Sequence, residues 1–171
     1  PMSENKVNIE ESLIRENLLA HSDKISAAAI VAGRQPNDVR LLAVSKRHSI
    51  EKVRVALEEG HRLFGENRVQ EARLKIPAVV SEEIEWHLIG NLQLNKVRRA
   101  VELFDVIQTL DREEVVLKVS RCAEELGKKM AVYVQVNVGG EVQKHGVAPA
   151  SVGELVDLVD QQPTLELLGL M

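Results

Sequence analysis

Residues 41–50 read Leu-Leu-Ala-Val-Ser-Lys-Arg-His-Ser-Ile, and this stretch decides between two parallel α/β folds. An apolar run that ends in a basic turn is typical of a buried strand, and Ser49 is a residue type that begins helices. A dinucleotide-binding Rossmann fold would need a glycine-rich loop directly after this strand, and residues 45–48 contain no glycine. The stretch therefore favours a β/α barrel.

Outward from this stretch, short apolar runs alternate with segments of helical periodicity, the first helix running from about Ile14 to Ala32. The predicted strands cover residues 41–45, 61–64, 84–89, 106–109, 132–138 and 165–171. Strands that alternate with helices run parallel, so their carboxyl ends share one rim. We expect one domain over residues 1–171 with the (β/α)₈ barrel fold, carrying about six of the eight strands and lacking the C-terminal βα units.

Composition limits the classes of function. The 171 residues are 44% apolar with a net charge of −4, which argues against a general affinity for nucleic acid or for anionic membranes. No apolar run approaches the roughly 20 residues of a membrane span and the N-terminus lacks a signal-peptide core, so we expect a cytoplasmic location. Cys122, the single cysteine, falls on the apolar face of a predicted helix and is expected to be a packed thiol. The histidines show no spacing typical of metal ligands, and no metal is expected.

Lys46 is the first candidate for chemistry. It stands at the end of the strand at residues 41–45, where an amine can be partly desolvated and can condense with a carbonyl compound. A lysine that closes a strand and points into water is the alternative. The basic residues Lys96, Arg98 and Arg99 lie along a predicted helix close to Glu102, which favours a solvated face over a phosphate or RNA site.

Five sequence blocks follow one another in a fixed order. They are AVSK at 43–46, FGEN-x-VQE at 64–71, WH-x-IG-x-LQ-x-NK at 86–96, VQVN at 134–137 and GLM at 169–171. In this order they resemble the pyridoxal phosphate homeostasis protein family, also called the proline synthetase co-transcribed homologue family, from about Ile14 to the last residue. Arg68 stands where that family commonly has tyrosine, and Leu94 where it usually has a small polar residue.

The resemblance implies the barrel of the alanine racemase N-terminal domain, with pyridoxal 5′-phosphate (PLP) bound as a Schiff base on Lys46. We expect the cofactor site to include Asn67, His87, Asn137 and Met171 as well. The family pattern also implies that the phosphate is held by a segment that follows Met171. Position alone leaves alternatives open, since Asn67 could cap the next helix, His87 could be a hydrogen-bonded core residue and Met171 could belong to the core.

The expected function is to carry or buffer PLP without catalytic turnover, with PLP-dependent enzymes as partners and a monomer as the complete protein. An amino-acid racemase or decarboxylase acting with the barrel alone is the enzymatic alternative. It would need a tyrosine or cysteine opposite Lys46, and the one tyrosine and the one cysteine lie within strand five and on a helix face. A third alternative is a protein-interaction module whose exposed helices dock cofactor-using enzymes, and no surface pattern supports it specifically.

Overall fold

The chain folds into alternating strands and helices, as predicted. The computed structural model describes residues 2–79 and 83–171. Its strands are β1 Ala43–Val44, β2 Leu63–Glu66, β3 Glu85–Leu88, β4 Val106–Leu110, β5 Met130–Val134 and β6 Leu165–Leu170. Its helices are α1 Met2–Val31, α2 Ile50–Glu58, α3 Val69–Lys75, α4 Val97–Leu103, α5 Glu113–Glu125 and α6 Val152–Asp160. Short 3₁₀ turns cover Pro36–Asp38, Ile76–Ala78, Leu94–Lys96 and Pro149–Ser151.

The six strands form one parallel sheet in the order β1-β2-β3-β4-β5-β6. Each strand pairs with the next one along the chain, and a helix connects them. This is the strand order of a β/α barrel, whereas a Rossmann sheet reverses its order at the switch point. The predicted fold class is confirmed over these six strands. Their carboxyl ends lie along one edge, which we call the rim.

The main core lies between the sheet and the helices that cover it. Alternate strand residues point to this side and are fully buried, with Phe64, Leu88, Ile107 and Val132 as examples. Cys122 on α5 belongs to the same core, and burial raises the pKa of its thiol. The predicted packed thiol is therefore confirmed.

Most strand boundaries differ from the prediction by one or two residues, with β1 at 43–44 rather than 41–45 and β2 at 63–66 rather than 61–64, and the largest differences are at α1 and β5. α1 begins at Met2 rather than near Ile14, because its first turns are polar and lack the apolar periodicity by which a helix is recognised. β5 covers residues 130–134 rather than 132–138. Beyond it Val136 forms a single bridge with Val147, because the chain turns there into the loop that follows the strand.

The long helix α1 packs on α2 and is tied to it by exposed ion pairs. Arg15 pairs with Glu58 at 2.7 Å and also with Glu59, while Lys52 on α2 pairs with Glu10 at 3.1 Å. Among the described residues, no helix combines the length and the apolar character required to span a membrane.

Candidate functional site

Lys46 lies at the rim directly after β1, and its side chain is exposed. Val44 stands opposite Gly65 in the register of β1 and β2, so the continuing chain places Lys46 level with Asn67. Leu42 and Gly65 meet on the interior side of the sheet, where a Cβ on Gly65 would lie 2.5 Å from Leu42 Cδ2. If the alternation of β1 continues into the turn, Lys46 has the parity of Leu42, and we expect its side chain on the interior side of the rim.

The turn that carries Lys46 is closed by backbone hydrogen bonds. Ser45 N–H donates to Gly65 O at 3.0 Å, and His48 N–H donates to Ser45 O at 3.1 Å. Arg47 has a left-handed φ of 62°, which non-glycine residues adopt rarely. The backbone around Lys46 is therefore specified by contacts and not by local preference.

A buried group of charged side chains supports this turn from the helix side of the sheet. Lys75 Nζ donates to Ser45 O at 2.7 Å, to Glu66 Oε1 at 2.8 Å and to Glu71 Oε1 at 2.6 Å. Ser45 Oγ also donates to Glu66 Oε1, and Arg47 N–H donates to Glu71 Oε1, both at 2.6 Å. Glu66 is fully buried and the Lys75 side chain is 10% exposed. We call Lys75, Glu66 and Glu71 the supporting cluster.

The supporting cluster could not be found from the sequence. Its one local signal is the i,i+4 spacing of Glu71 and Lys75 on α3, which brings the two side chains together on the helix surface. The contact between Lys75 and Ser45 spans 30 residues and exists only once β1 and α3 have packed. Burial acts to raise the pKa of Glu71, but hydrogen bonds from Lys75 and Arg47 N–H outweigh it and the pKa is lowered.

Asn67 lies at the end of β2 and is held against the end of β3 by a close backbone approach. Gly90 has no room for a side chain, because a Cβ there would lie 2.0 Å from Asn67 O. Both residues line a rim cleft of about 630 Å³, together with Arg68 and Lys96. Arg68, and not Asn67, occupies the N-cap position of α3, so the alternative role of Asn67 as a helix cap is wrong.

His87 lies on the interior side opposite Gly65, and both of its ring nitrogens have protein partners. Nδ1 lies 2.6 Å from Gln108 Nε2, an amide donor, and therefore accepts a hydrogen bond. Nε2 then carries the hydrogen and donates to Glu85 Oε1 at 2.7 Å, while Arg40 donates to Glu85 Oε2 at 2.6 Å. This is the geometry of a hydrogen-bonded core histidine, and a contact of His87 with a cofactor stays a prediction.

Two histidines are expected to make the fold sensitive to acid. Burial lowers the pKa of His87 and that of His61, whose Nε2 lies 2.7 Å from Leu63 O. Because the folded pKa values lie below the ordinary 6.5, the unfolded chain binds more protons as the pH falls below 6.5, and stability is lost there. We expect the free energy of unfolding to fall as the pH is lowered from 7.5 to 5.5. Urea titrations of the wild type and of His61→Gln/His87→Gln would measure it, and an equal fall in both would contradict the prediction.

Asn137 follows β5, and its amide holds the loop that comes next. Its Nδ2 donates to Glu141 O at 2.9 Å and to Lys144 O at 3.3 Å. Gly146 packs closely against the backbone of Asn137, because a Cβ on Gly146 would lie 2.6 Å from Asn137 N. Gly146 also has a φ of 118°, which side-chain-bearing residues rarely adopt. The amide hydrogens of Asn137 are therefore engaged within the loop, and a contact between Asn137 and a cofactor stays a prediction.

Met171 continues β6 alongside β5. Its N–H donates to Val134 O at 2.9 Å, and its carbonyl accepts from Val136 N–H at 2.8 Å. The residue is 44% exposed, which favours a place in the wall of a site over a place in the core. Beside it, alternation puts Gln135 on the face of Tyr133, and Gln135 Oε1 is buried with no hydrogen-bond partner in the described part of the chain.

The rim carries two groups of predicted site residues. Lys46 and Asn67 are neighbours at the ends of β1 and β2, and Asn137 and Met171 are neighbours at the ends of β5 and β6. His87 lies lower, inside the barrel. Across residues 2–79 and 83–171, no three His, Cys, Asp or Glu side chains lie where they could hold a metal ion together.

Residues 21–171 match the family described as alanine racemase, N-terminal domain. The pyridoxal phosphate homeostasis protein of Vibrio cholerae is 38% identical over 162 residues, which cover 92% of this chain and 69% of that protein. Both matches include the blocks that contain Lys46, Asn67 and His87, so the resemblance expected from the sequence is confirmed.

Solved structures show the same relationship. PipY of Synechococcus elongatus, solved with PLP bound, superposes with a TM-score of 0.78 at 34% identity, covering 92% of this chain and 69% of that one. The alanine racemase of Streptomyces coelicolor superposes with a TM-score of 0.73 at 20% identity, covering 94% of this chain and 41% of that one, and shows the fold alone. The chain therefore belongs to the pyridoxal phosphate homeostasis protein family, built on the fold of the alanine racemase N-terminal domain.

Proposed function

We propose that this chain binds pyridoxal 5′-phosphate as a Schiff base on Lys46 and holds it for intracellular cofactor homeostasis. The observation that carries the proposal is an exposed lysine at the rim of a parallel β/α sheet, with Asn67 beside it on the next strand. The homeostasis protein of Vibrio cholerae and the PLP-bound PipY support it by their similarity. In this proposal the protein acts in the cytoplasm, and PLP-dependent enzymes receive the cofactor from it.

The residues at the rim fit the chemistry of the cofactor. When bound, PLP supplies an aldehyde that condenses with a primary amine and releases water. Lys46 offers a primary amine at an exposed position. Gln135 Oε1 is a buried acceptor with no partner among the described residues, and an unsatisfied acceptor of this kind fits a polar site that a ligand would complete.

Each residue of the proposed PLP site has its own role. Lys46 presents the amine, Asn67 lies beside it to hydrogen-bond the ring, and Met171 forms part of the wall. His87 lies beneath them, held in one orientation by Gln108 and Glu85. Asn137 acts through the loop that its amide holds.

The proposal assigns binding without turnover. Racemisation requires a second acid/base group facing Lys46 across the substrate carbon. Tyr133 lies in β5, and its nearest ring carbon lies 3.5 Å from the Cβ position of Gly169 in β6. Cys122 is buried in the helix-side core. Neither side chain occupies the rim, so these residues do not support the racemase or decarboxylase alternative.

Borohydride reduction in the presence of PLP tests the proposal. We expect the wild type to show the absorbance band of a Schiff base and, after reduction, one cofactor per chain on the peptide that contains Lys46. Lys46→Ala should lose the label. Lys129→Ala is the matched control, because Lys129 is a well-exposed lysine at the opposite edge of the sheet, and it should label as the wild type does. Full labelling of Lys46→Ala would overturn the assignment.

A further inference from the structure

We propose that Glu71 is a positioning residue, which accepts a hydrogen bond from Arg47 N–H and so fixes the turn from which Lys46 leaves the rim. The proposal rests on the proposed function, because it concerns the lysine that takes PLP there. Each of the two peptide groups that flank Lys46 has a partner. Ser45 O accepts from Lys75 Nζ at 2.7 Å, and Arg47 N–H donates to Glu71 Oε1 at 2.6 Å.

The supporting cluster and Lys46 lie on opposite sides of the chain. Ser45 Oγ meets Glu66 Oε1 on the helix side of the sheet, where α3 supplies Glu71 and Lys75. Lys46 is the next residue, and continued alternation gives it the opposite parity, from which we infer that its side chain leaves on the interior side. The cluster therefore holds the backbone from behind and leaves the interior side of the rim to a ligand.

Arg47 shows that this turn needs outside support. Its φ of 62° is unfavourable for a residue with a side chain, and such a conformation persists only where the surroundings hold it. Glu71 provides a direct contact at Arg47 N–H, and Lys75 holds the same carboxylate oxygen at 2.6 Å. We expect loss of the side-chain oxygen that accepts from Arg47 N–H to let the turn adopt other conformations.

A fixed backbone matters for Lys46 because its long side chain already has many rotamers. If the peptide also moved, formation of the Schiff base would have to order both the turn and the side chain. Lys75 is kept out of the reaction, because its three ammonium hydrogens go to Ser45 O, Glu66 and Glu71. The two lysines thus have separate roles, one in binding and one in support.

The test compares Glu71→Ala with Glu71→Gln in PLP titrations of the whole chain. Alanine removes the acceptor for Arg47 N–H, whereas glutamine keeps a side-chain oxygen at that position. We expect Glu71→Ala to lower the equilibrium constant of the Schiff-base band about tenfold, as one charge-assisted hydrogen bond is lost. Glu71→Gln should stay within about threefold of the wild type.

Two further measurements separate positioning from a general loss of structure. Amide hydrogen exchange at Arg47, measured without PLP, should be faster in Glu71→Ala and close to wild type in Glu71→Gln. Glu125→Ala removes an exposed ion pair with Arg98 and should change neither the band nor the exchange. Urea titrations identify conditions under which the wild type, Glu71→Ala, Glu71→Gln and Glu125→Ala are all folded.

Different results would overturn the proposed PLP binding and the positioning role of Glu71. A wild type without the Schiff-base band overturns the proposed function and the positioning role with it. A wild-type band that is unchanged in folded Glu71→Ala overturns the positioning role alone. Equal losses in Glu71→Ala and Glu71→Gln would assign the effect to charge and not to the hydrogen bond, and would also overturn it. Weaker PLP binding by Glu71→Ala, together with nearly wild-type binding by Glu71→Gln, supports the positioning role.

Discussion

Replacement of Lys75 by methionine is expected to lower the free energy of unfolding by about 3–5 kcal/mol, the usual effect of removing one partner of a buried ion pair. Lys75 is the cation that faces the fully buried Glu66 and the partly buried Glu71. Methionine keeps the apolar length of the side chain but leaves Glu66 Oε1 with the hydrogen bond from Ser45 Oγ in place of an ion pair. Urea denaturation followed by circular dichroism would measure the loss.

Lys128→Met is the matched control for this substitution. Lys128 is also partly buried, but it donates to two neutral backbone oxygens, Val101 O at 2.8 Å and Phe104 O at 2.6 Å. Its loss is expected to cost about 1–3 kcal/mol, because unsatisfied carbonyls are less costly than an unpaired buried charge. Glu66→Gln/Lys75→Met should recover part of the stability, since the buried charge is then absent. A loss below about 1 kcal/mol in Lys75→Met would contradict the predicted role.

Gly90→Ala is expected to destabilise the fold by about 3 kcal/mol and to weaken PLP binding at the same time. The added Cβ would lie 2.0 Å from Asn67 O, 2.7 Å from Asn67 C and 2.8 Å from Asn67 Cα. All three are backbone atoms, so the ends of β2 and β3 must move apart, and Asn67 moves away from its place beside Lys46. Chemical denaturation and a PLP titration of the same sample would measure the two effects.

Gly153→Ala provides the control for this substitution. Gly153 lies in α6, and a Cβ built there meets no atom within 4 Å. Alanine is a better helix former than glycine, so the variant should gain about 0.5–1 kcal/mol and bind PLP as the wild type does. If Gly90→Ala resembled Gly153→Ala in both measurements, the close approach of β2 and β3 would not be essential.

The fold was predictable because parallel β/α units are encoded locally. Each strand is a short apolar run, each connecting segment has helical periodicity, and right-handed crossovers then determine the strand order. The end of β5 was not predictable in this way. Gln135 and Asn137 alternate with valines whether or not the strand continues, and only the packing of the following loop shows that pairing is reduced to Val136 and Val147.

The places of Lys46, Asn67 and Met171 at the rim were predictable, because they follow from the ends of three strands. The partners of the other residues arise from packing. His87 meets Gln108 across 21 residues of sequence, and no local spacing encodes that contact. The amide of Asn137 is engaged by backbone carbonyls of its own loop, which alternation along a strand cannot reveal.

The opposite placement of Lys46 and the supporting cluster bears on how such a protein can change over evolutionary time. Glu66 and Lys75 form their ion pair on the helix side, whereas Lys46 and Asn67 belong to the proposed binding site at the rim. Substitutions on the interior side of the rim can therefore leave the contacts of the supporting cluster intact, except where a residue such as Gly90 or Asn137 also holds the backbone. A lineage with this arrangement can explore new carbonyl ligands while it keeps the same lysine and the same folded chain, and protein engineers can vary the two properties separately for the same reason.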